Sequence, residues 1–145
     1  MTKLLSEIHW GAVLPCALVY GIFCGVWHRP FLFGKKWEKA MGFKRMIGWT
    51  DPPIQFVVPM LASLVTTIAV AMLLQLLALN TFAEVLTVAL ILGIGFGAPI
   101  VYTVGTIPIM HKPLTFGSIT GSAQALGITV MTVVMHYLSR WIEGG

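Results

Sequence analysis

Four apolar stretches constrain this chain more than any other feature. They run approximately over residues 8–27, 54–79, 82–107 and 114–138. A membrane-spanning helix needs about 20 predominantly apolar residues. The last three stretches are longer than that, so they are expected to tilt or to extend into the interface. Composition agrees: 57% of residues are hydrophobic and only 10% are charged, with mean hydropathy +0.89. A soluble domain carries about 25% charged residues. A soluble monomer is excluded unless nearly all its surface is hidden, and so much apolar content excludes disorder. The expectation is one all-α domain over residues 1–145, a four-helix transmembrane bundle.

The charges set the orientation. Arg29, Lys35, Lys36, Lys39, Lys44 and Arg45 lie between the first and second stretches, and Lys112 lies between the third and fourth. Only Lys3 and Arg140 lie on the other side. The side with seven basic residues is expected to be cytoplasmic and both termini outside, in a bacterial cytoplasmic (inner) membrane. A net charge of +4 placed beside apolar segments points to lipid headgroups and not to nucleic acid.

The first loop, 28–53, is amphipathic and basic. Phe33, Trp37, Ala40 and Met41 share helical spacing, while Lys35, Lys36, Glu38 and Lys39 fall on other faces. This predicts a short helix in the interface, with Trp27 and Trp49 near the same depth. Lys35, Lys36, Trp37, Lys39, Lys44 and Arg45 are the expected contacts to anionic headgroups. An ordinary positive-inside anchor is the plainer account of the same residues.

Local signals mark the ends of the spans. Asp51 is expected to cap span two, with Pro52 at its first helical position. Asn80 suits a left-handed stop. Thr81 and Glu84 form a T-x-x-E capping box that opens span three. So short a turn predicts a tight antiparallel hairpin of spans two and three.

Tyr20, Trp27, Pro30, Leu32-Phe33-Gly34-Lys35, Trp37 and Met41-Gly42 stand together as YGIFCGVWHRPFLFGKKWEKAMG. This segment of about 25 residues resembles the domain of unknown function 1761 family, small four-span membrane proteins with an aromatic-x-x-Pro-x-Leu-Phe-Gly-Lys-x-Trp segment after the first helix. The resemblance implies a fold and a location; it implies no activity.

A second comparison is internal. His28 to Gly34 reads HRPFLFG and His111 to Gly117 reads HKPLTFG. Two parallel helix-hairpin repeats would place both at the same membrane face. Basic-Pro punctuation where helices leave a membrane is the competing account.

Within the spans, Gly117, Gly121 and Ala125 recur every fourth residue of span four, flanked by Ser118, Ser122, Thr129 and Thr132. Such a stripe lets backbones approach closely and predicts a helix–helix interface. Span three carries Gly93, Gly95, Gly97 and Pro99, which predict a kink. Span two has a polar line of Ser63, Thr67, Ala71 and Gln75. Gln75 and Gln124 are costly in lipid and should face protein or water. With Gly95, Gly97 and Pro99 they could line a polar path; helix packing accounts equally for the glycines.

No catalytic set is legible. No span holds an Asp, Glu, Lys or Arg in its middle, and no nucleophile–base order, HExxH or phosphate loop appears. His9, Glu84 and His136, with Trp10 and Arg140 nearby, gather on the outer side, but a capping Glu84 makes a poor metal ligand. On the inner side, Arg29 and Lys112 are expected to disfavour protonation of the adjacent His28 and His111. Cys16 and Cys24 are about 12 Å apart along one helix and cannot pair. Met131 and Met135 share a face, as packing residues do. The chain is therefore read as non-enzymatic, without metal or cofactor, acting as an oligomer or as an accessory subunit of a larger membrane complex. The alternative is a homo-oligomeric channel or transporter for a small solute or ion.

Overall fold

The computed structural model describes residues 8–44, 46, 50, 52–79 and 81–144. Helix α1 (Trp10–Trp27) is span 1. Helix α2 (Gly34–Met41) is the short amphipathic helix of the first loop. Helix α3 (Ile54–Leu77) is span 2. Span 3 is composite: α4 (Phe82–Leu90), a π-helical segment (Ile91–Gly97) and α5 (Ala98–Gly105). Helix α6 (Pro113–Gly144) is span 4. All four are long and apolar enough to cross a membrane. Among the described residues there is no strand. The helices alternate in direction, so α2 and the loop before span 4 share one face, here the basic face. The start of span 1, the turn between spans 2 and 3 and the end of span 4 share the other, the terminal face.

Span 4 is the central helix. It packs on spans 1 and 3, on α2 and, less extensively, on span 2. Two small-residue faces make this possible. A Cβ on Gly93 of span 3 would stand 2.5 Å from the Ala125 carbonyl oxygen, and one on Gly117 would overlap the Tyr102 ring. A Cβ on Gly127 would stand 2.6 Å from the Tyr20 ring of span 1. Close approach of this kind holds helices together in lipid, where apolar faces gain nothing from leaving water. Span 2 leans chiefly on span 1, where Gly21 admits Met60 and Ser63. The core is filled by Val13, Cys16 and Tyr20, by Val70 and Ala71, and by Ile128, Met131 and Met135.

Several local expectations hold. The capping box is present: the Thr81 backbone N–H donates to Glu84 Oε2 at 2.9 Å, and the Glu84 N–H donates to Thr81 Oγ1 at 3.3 Å. The irregularity foreseen near Gly95–Pro99 is the π-helical segment that ends at Gly97, just before Pro99 removes a ladder donor. Met131 and Met135 are core residues, 0% and 1% exposed.

Other local expectations need correction. Spans 2 and 3 are joined by a short turn, yet they form no packed hairpin; both lean on other helices. A turn fixes sequence proximity, whereas packing follows from which faces carry small residues. Span 2 starts at Ile54 with Pro53 as its N-cap, so Pro52 precedes the helix. Its left-handed stop is Ala78, at φ 48°. Span 4 continues past the apolar stretch to Gly144. The two HxPxxFG segments fold differently: the first is a run of turns before α2, whereas Pro113 of the second already opens span 4. Asp51, Asn80, Arg45, Trp49 and Lys3, which figured in the expected caps, anchors and charge balance, lie outside the described residues.

Candidate functional site

Two places gather polar side chains. The first is the seam on the basic face between the end of span 1, α2 and the start of span 4. Gly42, at φ 76°, ends α2 in the left-handed conformation, where a Cβ would overlap the His111 ring. The Lys112 N–H donates to the Ala40 carbonyl at 2.9 Å, tying the last loop to α2. The Trp27 indole N–H donates to the Ile119 carbonyl at 3.0 Å. Deeper along the same seam, the Tyr20 hydroxyl donates to Gln124 Oε1.

A directional chain runs between them. His28 Nδ1 is 2.7 Å from the Cys24 carbonyl, which can only accept, so Nδ1 carries the proton. Nε2 is then the acceptor of the neutral ring, and the Thr120 hydroxyl donates to it at 3.3 Å. Thr120 Oγ1 accepts in turn from the Trp37 indole N–H at 3.1 Å. Burial lowers the His28 pKa below its ordinary value, and the bond to the Cys24 carbonyl only partly opposes this. The expected direction is therefore right, but the cause is burial and not the neighbouring Arg29. Arg29 itself lies over the Phe56 ring, 5.7 Å from its centroid, and joins the first loop to span 2.

The second place is a half-open cavity of about 320 Å³ on the terminal face. His9 and Val13 come to it from span 1 and the residue before it, Gln75 and Ala78 from the end of span 2, and Met135, His136, Ser139 and Arg140 from span 4. Of the group expected on the outer side, His9, Glu84 and His136 with Trp10 and Arg140 nearby, the cavity brings together His9, His136 and Arg140 and adds Gln75; Glu84, exposed in its capping box, and Trp10 do not line it. The missed signal is depth: Gln75 sits two residues before the end of span 2, level with the last turns of span 4. Among the described residues, no group of three or more His, Cys, Asp or Glu side chains is placed to hold a metal.

The remaining candidates fall as follows. Lys35, Lys36, Lys39 and Lys44 are exposed on the basic face; Trp37 is half-buried and committed to Thr120. Gly117, Gly121 and Ala125 face span 3, with Ser118 Oγ 3.0 Å from the Tyr102 hydroxyl and Ser122 donating to the Ile119 carbonyl at 3.0 Å. Of the five residues considered for a polar path, Gly97 and Gln124 are neighbours, a Cβ on Gly97 standing 3.5 Å from Gln124 Cβ, but the set as a whole is not brought together. Gln75 lines the terminal cavity, while Gln124 is bonded to Tyr20 nearer the basic face. Gly95 and Pro99 are exposed on the outside of span 3, and Gly97 packs against Ile128. Between the two glutamines lie the core side chains of Ile128, Met131 and Met135. Ser63 and Thr67, buried along the polar line of span 2, donate to carbonyls of their own helix, at 2.8 Å and 2.7 Å.

A family model described as "Protein of unknown function (DUF1761)" matches residues 11–136. The match covers the seam and only part of the cavity lining: His9, Ser139 and Arg140 fall outside it. Comparison with curated proteins gives no match, and comparison with solved structures gives none.

Proposed function

We propose that this chain, which belongs to the DUF1761 family, acts by association and not by catalysis: as a homo-oligomer or as an accessory subunit of a larger membrane complex. One observation carries the reading. Over 18 apolar residues of each span, 44% are buried within the chain in span 4 and 33% in span 1, but only 22% in span 2 and 17% in span 3. Two long helices are thus held mainly on one side, and their other sides offer broad surfaces to another membrane helix. The small-residue stripe of span 4 is already spent on span 3, so the association surface is assigned to spans 2 and 3. We place the protein in a bacterial cytoplasmic membrane with the basic face inside, on the basis of the lysine and arginine distribution. There the exposed Lys35, Lys36, Lys39 and Lys44 meet anionic headgroups, at about 1 kcal/mol each near such a surface.

The test is a native mass measurement after extraction into mild detergent or nanodiscs, with co-purifying proteins identified. A defined oligomer or a stoichiometric partner is expected. A stable monomer that brings nothing with it sinks the reading. Passage of a solute is the second reading, favoured by the terminal cavity as an entrance. Its difficulty is the Met131–Met135 core beneath, so passage would have to run between copies. A liposome flux assay decides it.

A further inference from the structure

From the terminal-face cavity we infer a binding site for a small amphipathic anion: one acidic head on a short apolar body. The cavity's volume, about 320 Å³, lies at the lower end of the range for ligand sites. At about 30 Å³ per water-sized unit it holds roughly ten non-hydrogen atoms. Its wall is divided. Val13 and Met135, each 1% exposed, and Ala71 provide an apolar floor. Arg140, at the exposed rim, is the permanent cation of the lining. His136 is buried in the wall, and His9 stands opposite it on the span 1 side; with Gln75 and Ser139 they add hydrogen-bond donors. Among the described residues that line the cavity there is no carboxylate. Arg140 gives the polar side of the lining a positive charge, and this fits a carboxylate or phosphate head pointing to Arg140.

The same chemistry is available from two sources: a water-soluble organic acid, or the headgroup region of an anionic lipid in the adjacent leaflet.

The experiment uses the full chain in phosphatidylcholine nanodiscs, with benzoate as the soluble probe and benzamide as its neutral isostere. Thermal unfolding is followed as each is titrated. Benzoate is expected to raise the unfolding temperature saturably and benzamide is not. Arg140→Gln should raise the half-saturating benzoate concentration at least tenfold, while Lys112→Gln on the opposite face leaves it unchanged. In a second arm phosphatidylglycerol replaces part of the phosphatidylcholine. If it weakens benzoate binding in wild type but not in Arg140→Gln, the lipid is the natural source. If it does not, the soluble acid is. Equal effects of benzoate and benzamide on the wild type overturn the proposal without recourse to any variant, as does Arg140→Gln binding benzoate like the wild type.

Discussion

The Trp37 indole N–H donates to the Thr120 hydroxyl at 3.1 Å, and through this bond the amphipathic helix of the first loop is fixed to the central span 83 residues away in sequence. Thr120 passes the interaction on to His28, so one hydroxyl serves three elements.

Removing that hydroxyl is expected to free α2. Thr120→Val leaves the Trp37 donor and the His28 acceptor without partners in a half-buried seam, a loss of about 1–3 kcal/mol. Trp37→Phe should cost less, because the ring still packs. Hydrogen exchange across residues 34–41 should rise in both variants. In a double-mutant cycle the two losses should not add, since they break a shared bond. Additive losses would show that the bond carries no coupling.

Stability should depend on pH through His28. Its folded pKa lies below the ordinary histidine value because burial penalises the charged ring. The unfolded chain therefore binds a proton first as pH falls. The contribution is whole above about pH 6.5 and is lost progressively below it, down to the folded pKa. Unfolding temperatures in detergent at pH 7.5 and pH 5 should differ, and His28→Gln should shrink the difference. An unchanged pH slope in that variant would assign the effect elsewhere.

Glycines in similar helices should respond in opposite ways. In Gly93→Ala the new methyl meets the Ala125 backbone at 2.5 Å, and backbone cannot step aside. Overpacking of this kind costs about 1–3 kcal/mol. In Gly25→Ala the methyl meets nothing within 4 Å. That variant should be neutral or more stable by up to about 1 kcal/mol, through helix propensity alone. Thermal unfolding of the two variants side by side checks both.

Ala78→Gly should stabilise the chain. Alanine at φ 48° pays a steric penalty that glycine does not. A gain of up to about 1 kcal/mol is expected, offset in part by the greater freedom of glycine when unfolded. A lower unfolding temperature would mean that the Ala78 methyl makes packing contacts worth more than the strain.

Much of the fold is legible in the residues. The four spans are written in runs of hydropathy, and the capping box needs only Thr81 and Glu84. The amphipathic helix follows from the spacing of Phe33, Trp37, Ala40 and Met41. The candidate sites are less legible. His9, His136 and Arg140 are terminal residues of their spans, so their grouping could be foreseen. Gln75 could not be added to them, because its depth depends on the register of span 2 against span 4. Nor does a periodic stripe such as Gly117, Gly121 and Ala125 say which helix lies upon it.

By itself, then, the sequence determined how many helices are long and apolar enough to cross, that Thr81 and Glu84 cap span 3, and where the basic residues gather. These are consequences of local chemistry: burial in hydrocarbon, satisfaction of helix ends and charge beside headgroups. Only the tertiary structure decided that span 4 is central, that spans 2 and 3 do not pack together, and that Gln75 and Gln124 stand in separate places. Hydropathy cannot choose among the faces of a helix when both lipid and protein interiors are apolar. Shape chooses: Gly127 admits Tyr20, Gly93 admits the backbone at Ala125, and Thr120 lies where Trp37 and His28 both reach it.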